Sequence, residues 1–329
     1  MQLIGHEKEK KIIYTALLSA TRRNKALPHL LFSGSAGCGK TTLAKEVAKT
    51  ANVPMFVISP ENLGKPSDVI EKLKLLPREN YDDFGNRIGP ISAPIIFIDE
   101  IHRQALGGQE VLGIAMEEFE LAMDKEHKNM WLPYFTVIGA TTDDGKLSKP
   151  YRDRFKIRFL FEPYSFDDSI KIIRMHSVRL GIILTPKAVR SVAQKGRGVP
   201  RIIVGYLERI RDKCHTENLL CATSRVVDDV FTELEIDATG LSAVELKILN
   251  ALYHSEDPIG QDNLSILVNE SPKTLSNSIE PFLIQRGLII RSGKGRKITN
   301  TGREYLEEHG HIKDKERPKY LIEPGYVRT

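Results

Sequence analysis

The chain has 329 residues, of which 41% are hydrophobic and 28% charged, and its formal net charge is +5. This composition is ordinary for a soluble globular protein of two or three domains, and the net charge is too small to establish nucleic-acid binding. No apolar run approaches the ~20 residues of a membrane helix, the N-terminus lacks a signal-peptide layout, and the three cysteines show no metal-binding spacing, so we expect reduced thiols and a cytoplasmic location.

A phosphate-binding motif follows a predicted helix at residues 4–20 and a predicted buried strand at residues 29–33. The P-loop pattern, Gly, four residues, then Gly-Lys-Thr, is met at Gly34-Ser35-Ala36-Gly37-Cys38-Gly39-Lys40-Thr41-Thr42, and a helical pattern follows. In this context the glycines turn backbone N–H groups toward a phosphate chain, and the helix N-terminus adds partial positive charge. The alternative is a glycine-rich turn without a ligand. We predict that Lys40 contacts the β- and γ-phosphates and that the Thr41 hydroxyl ligates Mg²⁺.

Two acids end the next informative strand, predicted at residues 93–98. Its run of apolar side chains suits the centre of a parallel sheet, and the carboxyl ends of such strands form the ligand-binding edge. There Asp99 would hold Mg²⁺ and Glu100 would polarise the attacking water. A lone Asp-Glu pair is more often a helix cap, but the P-loop upstream favours the catalytic interpretation. His102 is interpreted as a packing or supporting residue.

A further buried strand at residues 134–140 brings Thr141 and Thr142 to the same edge, where a hydroxyl would lie near the γ-phosphate. Arg152 and Arg154 follow beside Asp153. They would form either a surface ion-pair cluster or, in an oligomer, an arginine finger that reaches a neighbour's nucleotide.

Helical patterns dominate from Phe166 to about residue 234 and predict a small helical lid. Its third helix begins at Pro200, after Gly198-Val199. Arg201 therefore lies at a helix start, from which its side chain would fold back onto a phosphate.

Three further helices and a β-hairpin are predicted from Leu241 onward, which is the arrangement of a winged helix. Between Arg286 and Arg303 every charged residue is basic. A solvated basic face is the alternative, but this bias on a wing favours DNA phosphate contacts without sequence preference. The DNA-contacting residues that we predict are Arg286, Arg291, Lys294, Arg296 and Lys297.

Together these motifs resemble the RuvB family of AAA+ motors, which drive Holliday-junction branch migration. The similar stretches run in the family's order along nearly the whole chain. They are Phe97-Ile98-Asp99-Glu100-Ile101-His102-Arg103, Gly139-Ala140-Thr141-Thr142, Arg152-Asp153-Arg154-Phe155, Gly198-Val199-Pro200-Arg201 and Leu283-Ile284-Gln285-Arg286-Gly287. The acidic and P-loop motifs alone indicate a P-loop ATPase; the arginine motifs narrow this to AAA+, and the winged helix to RuvB-like proteins.

The resemblance implies an α/β AAA+ P-loop domain with a parallel sheet flanked by helices (residues 1–161). An α-helical lid (162–236), a winged-helix domain (237–310) and a C-terminal tail (311–329) would follow. It implies Thr142 as sensor 1, Arg154 as the finger acting on the adjacent subunit, and Arg201 as sensor 2. Ile4, Gly5 and Tyr164 would lie near the adenine. The nucleotide-contacting set would be Ile4, Gly5, Gly37, Cys38, Gly39, Lys40, Thr41, Thr42, Tyr164, Pro200 and Arg201.

The expected activity is ATP hydrolysis with Mg²⁺, coupled to DNA translocation by a hexameric ring in recombination and repair. Three features depart from the family pattern. The longer segment that the family has ahead of Ile4 is missing, and the hairpin that docks the family's RuvA partner is short here, at residues 121–133. The tail from His311 is not part of the family pattern. A divergent, phage-encoded relative would account for them. The competing hypotheses are an AAA+ clamp or helicase loader, which uses ATP as a switch, and a DNA-binding scaffold with a vestigial nucleotide pocket.

Overall fold

The computed structural model describes residues 3–77, 93–122 and 129–312. The chain divides into two compact units, residues 1–224 and 225–329. Within the described ranges, no helix has the length and apolar character needed to cross a bilayer.

A five-stranded parallel sheet forms the centre of the first unit, in the order β2-β3-β6-β1-β7. Its strands are β1 (Leu30–Gly34), β2 (Met55–Ile58), β3 (Ile95–Ile98), β6 (Thr136–Thr141) and β7 (Ile157–Phe161). Every residue of β3 and β6 is buried, as their apolar sequences predict for strands covered on both faces. A separate antiparallel pair, β4 (Glu120–Ala122) and β5 (Asn129–Trp131), provides the strands of the predicted short hairpin.

Alternate residues of these strands enter two different cores. Leu31, Ile96, Ile98 and Val137 pack on the face covered by α3, α4 and α5, whereas Phe32, Phe97 and Ile138 pack on the face covered by α1 and α2. The five helices are α1 (Glu7–Arg22), α2 (Lys40–Ala51), α3 (Pro66–Lys74), α4 (Leu106–Glu118) and α5 (Lys149–Asp153). This period of two follows from strand geometry and fixes the face of the sheet on which each side chain lies.

Helices α6 (Phe166–Leu180), α7 (Pro186–Lys195) and α8 (Pro200–Thr216) follow the sheet, and α9 (Ser224–Glu233) begins at the boundary between the units. Ser165 and Thr185 cap α6 and α7 by accepting backbone N–H groups three residues ahead, and α7 and α8 begin with proline. Helix α8 begins at Pro200, so Arg201 lies in its first turn, as predicted.

The second unit is built around one core and contains α10 (Ala243–Tyr253), α11 (Gln261–Val268), a broken third helix, a hairpin and α14 (Asn300–Glu308). The hairpin pairs β8 (Ile289–Ser292) with β9 (Gly295–Ile298). The third predicted helix is divided into α12 (Pro272–Thr274), a π-helical turn (Leu275–Ile279) and α13 (Glu280–Gln285). Pro281 explains the break, because it has no N–H group and its ring would clash with the carbonyl four residues earlier.

Candidate active site

The P-loop places a buried ammonium group at the centre of the first unit's carboxyl edge. Lys40 is 6% exposed, and its Nζ donates hydrogen bonds to the carbonyl oxygens of Gly34 and Ser35 at 2.6 and 2.9 Å. Burial lowers the pKa of Lys40, and the charge of Glu100 opposes that shift. An ammonium held in this way is a ready partner for an anionic phosphate chain.

The lid residues approach the P-loop so closely that glycine is required there. Gly37 and Gly39 have positive φ values of 82° and 95°. A Cβ on Gly37 would stand 2.8 Å from Arg201 Cβ, and one on Gly39 would stand 2.7 Å from the Tyr164 hydroxyl oxygen. The loop therefore keeps its backbone bare where phosphates would bind.

The predicted adenine-side residues lie together beside this loop. A Cβ on Gly5 would stand 2.8 Å from the Tyr164 ring, the His6 ring packs edge-on against Tyr164, and His6 Nε2 is 3.3 Å from the Cys38 carbonyl oxygen. Burial lowers the pKa of His6 and raises that of Tyr164. The side chain of Cys38 is buried in the core, so this residue offers a ligand only its backbone. Ile4 is half-buried.

The two acids after β3 point to different partners. Thr41 Oγ1 is 3.5 Å from Asp99 Oδ2, which brings the two predicted Mg²⁺ ligands together. Glu100 takes a left-handed backbone conformation, with φ at 49°, and its Oε2 accepts hydrogen bonds from the N and Oγ1 of Thr142 at 3.2 and 2.9 Å. A non-glycine residue in this conformation is strained, and such strain concentrates at functional sites.

His102 contacts both the acidic turn and the end of β6. Its Nδ1 lies 2.9 Å from Thr141 Oγ1 and 3.2 Å from Glu100 Oε2. Burial lowers the pKa of His102, while the charge of Glu100 acts in the opposite direction. The supporting role expected for His102 agrees with these contacts.

A cavity of about 490 Å³ unites most of the predicted nucleotide site. Outside the P-loop, sequence reasoning missed four residues of its lining, namely His176, Val204, Gly205 and Glu208, which lie on α6 and α8. Their positions on ordinary amphipathic helices gave no signal of their own. The expected residues in the lining are Gly37, Gly39, Lys40, Thr41, Thr42, Asp99, Glu100, Pro200 and Arg201.

Arg154 does not line this cavity. Its guanidinium forms an ion pair with the Glu117 carboxylate, and it lines a separate cavity of about 460 Å³ together with Arg23, Lys25 and Lys156. Within its own chain, Arg154 thus belongs to a cluster of basic residues and not to the P-loop cavity.

In the second unit, the structure of the wing, the β8–β9 hairpin, contradicts one predicted DNA contact. Arg286, Arg291, Lys294 and Lys297 are exposed, whereas Arg296 is 4% exposed and forms a bidentate ion pair with Glu280. The prediction that Arg296 contacts DNA is therefore wrong for this structure. Arg296 shares its face of β9 with the buried Ile298, and this alternation is the signal that could have placed it inside.

Three family models match the chain one after another. Residues 1–160 match the Holliday junction DNA helicase RuvB P-loop domain, residues 164–237 the RuvB AAA lid domain, and residues 238–307 the RuvB C-terminal winged helix domain. All three belong to RuvB, which favours the motor hypothesis over a loader.

Full-length relatives agree with these matches. The Holliday junction branch migration complex subunit RuvB of Prochlorococcus marinus strain MIT 9313 is 36% identical over 315 residues, covering 92% of this chain and 85% of the relative. The subunit of the same name from Wolbachia pipientis wMel is 36% identical over 294 residues, covering 88% of this chain and 86% of the relative. Among solved structures, the Thermotoga maritima RuvB Holliday junction branch migration motor matches with a TM-score of 0.78 at 31% identity, covering 92% of this chain and 95% of that chain.

Proposed function

Since the chain belongs to the RuvB family of branch-migration ATPases, we propose that it hydrolyses ATP between neighbouring copies of itself and uses that energy to move Holliday-junction DNA. The observation that carries this proposal is the placement of Glu100. Its carboxylate lines the P-loop cavity and is held by two hydrogen bonds from Thr142.

The P-loop side of the cavity fits a nucleoside triphosphate. Lys40 would exchange its carbonyl partners for phosphate oxygens, and Arg201 would contact the same phosphates from the start of α8. Thr41 Oγ1 and Asp99 would hold Mg²⁺, which neutralises charge on the phosphates when it is bound. The oxygen donors of these two residues are the kind that Mg²⁺ prefers.

Glu100 would orient a water molecule for attack on the γ-phosphorus. The N–H and hydroxyl groups of Thr142 fix one carboxylate oxygen and leave the other to accept a hydrogen bond from that water. Thr142 would thereby report the state of the γ-phosphate to the acid. Such positioning supplies most of the catalysis in phosphoryl transfer.

Arg154 is proposed to complete the site of an adjacent subunit. This requires a closed arrangement of copies, for which we propose a hexameric ring around duplex DNA. The exposed wing residues Arg286, Arg291, Lys294 and Lys297 would contact phosphates without reading the sequence. A RuvA-like partner would target the ring to junctions; the short β4–β5 hairpin is the place where we expect a changed docking surface.

The finer organisation remains part of the proposal. We propose that the domains end at residues 161, 236 and 310. We also propose a cytoplasmic location, which agrees with the three free cysteines.

A Glu100→Gln variant tests the function. It keeps the shape and one acceptor oxygen, so ATP should bind within a few-fold of the parent affinity. Turnover and ATP-driven unwinding of a synthetic four-way junction should both fall by at least ~100-fold. Glu208→Gln, which removes another carboxylate that lines the same cavity, serves as the control and should retain most turnover. A Glu100→Gln protein that still moves junctions at the parent rate would refute the proposal. A parent protein that hydrolyses ATP but does not move junctions would favour the loader hypothesis instead.

A further inference from the structure

Helix α5, which ends one residue before Arg154, is tied to the residues that follow Glu100 by hydrogen bonds in the protein interior. Gln104, Gln109 and Tyr151 are 3%, 2% and 2% exposed, so water does not satisfy their polar groups. Gln104 follows the turn Ile101–Arg103 after the acids, and Gln109 lies in the first turns of α4.

Gln104 is the centre of this connection. Its Nε2 donates to the Leu63 carbonyl oxygen at 3.2 Å, and its Oε1 accepts the Tyr151 hydroxyl at 3.0 Å. Because a carbonyl can only accept, the Leu63 contact fixes which end of the Gln104 amide faces Tyr151. The phenol therefore has one defined partner.

Gln109 makes a second connection to the same helix. Its Nε2 donates to the Gln104 backbone oxygen at 2.8 Å, and its Oε1 accepts the N–H of Ser148, the residue before α5, at 3.1 Å. The N-cap residue and the middle of α5 are thus hydrogen-bonded to residues that follow the acidic turn in sequence.

The surrounding contacts leave little freedom for these groups to shift. A Cβ on Gly108 would stand only 1.8 Å from the Leu63 carbonyl oxygen, so α4 lies directly against that carbonyl. A Cβ on Gly113 would stand 3.4 Å from the Tyr151 ring and 3.9 Å from Arg154 Cγ. The Glu117 carboxylate, one turn further along α4, pairs with the Arg154 guanidinium.

We infer that Gln104, Gln109 and Tyr151 are positioning residues for Arg154, so that the finger offered to a neighbouring subunit is set from the acidic turn of its own subunit. Buried amide and phenol groups with defined hydrogen-bond partners fix a geometry more sharply than an apolar contact does. A change at the acidic turn would then move the finger through α4 and α5. This inference rests on the proposed trans action of Arg154.

A two-component complementation experiment tests the inference. The acceptor is Arg154→Ala, which keeps its pocket and lacks the finger, and the donor is Glu100→Gln, which keeps the finger and has no working pocket. ATP turnover of the mixture is followed as donor is added to saturation. Tyr151→Phe is then introduced into either component. It removes one hydroxyl and leaves the buried ring in place.

In the donor, Tyr151→Phe should lower the saturating rate about tenfold, because small displacements of a catalytic group are costly, and it should leave the half-saturating concentration within about twofold. In the acceptor the same change should cost less than about twofold, because that α5 carries no working finger. Gln109→Leu should repeat the donor effect. Ser169→Ala, which removes a buried hydroxyl hydrogen bond on α6, should have little effect in either component.

Equal losses in donor and acceptor, or no loss in the donor, would overturn the inference while the complementation itself stood. A parent mixture without turnover would instead remove the trans-acting site, and with it the proposed function on which the inference depends.

Discussion

The guanidinium of Arg296 meets the carboxylate of Glu280 through two hydrogen bonds, Nε to Oε1 at 2.6 Å and Nη2 to Oε2 at 3.0 Å. Both residues are almost fully buried, at 4% and 1% exposure, and Arg296 Nη2 also donates to Gln261 Oε1 at 3.0 Å. The pair therefore joins the wing to the broken third helix and to α11. Its role is structural, although Arg296 lies within the basic stretch between Arg286 and Arg303.

Arg296→Met should destabilise the winged-helix unit by about 3–5 kcal/mol, because it leaves the Glu280 charge buried without a partner. Hydrogen exchange of the β8 and β9 amides measures this locally. The double variant with Glu280→Met should recover most of the loss. Lys297→Met, one residue further along β9 and exposed, should change stability by less than about 0.5 kcal/mol. An equal loss in the single and double variants would contradict the pairing argument.

Replacement of Arg291, Lys294 and Lys297 by alanine should weaken duplex binding and flatten its salt dependence. Each lost phosphate contact reduces the slope of log K against log salt by about 0.9, so three contacts would reduce it by about 2–3. Filter binding at several salt concentrations measures the slope. A triple variant of the exposed α1 and α2 lysines Lys8, Lys11 and Lys49 removes the same charge and should leave the slope nearly unchanged. If both triple variants changed the salt slope equally, the wing would not be part of the DNA interface.

Arg154→Ala should lower ATP turnover by about 10³–10⁵ while nucleotide binding stays within a few-fold, since the finger stabilises charge only as the phosphoryl group leaves. Steady-state turnover and binding of a fluorescent nucleotide separate the two effects. Arg152→Ala, in the last turn of α5 and two residues earlier, is the matched comparison and should retain most activity. If Arg152→Ala lost more ATP turnover than Arg154→Ala, Arg152 would be the finger.

The stability of the first unit should depend on pH through His29. This ring is 7% exposed, with Nε2 2.8 Å from the Met116 carbonyl oxygen and Nδ1 accepting the Val137 N–H at 2.8 Å. Burial lowers its pKa to about 4, against about 6.5 in the unfolded chain. The native state thus favours neutral His29, and its contribution is complete above the unfolded pKa and lost as pH falls toward 4.

The lost contribution should approach about 3 kcal/mol. Denaturant unfolding of the parent at pH 7 and 4.5, compared with His29→Gln, isolates it, because the variant lacks the titrating group and should show a weaker pH dependence. Identical pH profiles for the two proteins would exclude His29 as the source.

Much of the architecture was predictable because it depends on local patterns. The apolar run of β3, the glycines of the P-loop and the prolines at the starts of α7 and α8 predict the elements that the structure contains. The α/β, lid and winged-helix organisation is confirmed by the family matches and by the RuvB structure. The π-helical turn and α14 were not predicted.

The sequence by itself determined which functional groups the site contains: a P-loop lysine and threonine, and two acids after a buried strand. It also determined the family, because its motifs occur in the family's order. Only the tertiary structure decided which like residues differ in role. It placed Arg296 inside and Lys297 outside, moved Arg154 away from the cavity of its own chain, and joined Gln104 to Tyr151 across 47 positions. The reason is physical: a periodic pattern specifies which residues share a face, but burial and hydrogen-bond partners depend on packing between segments far apart in the chain.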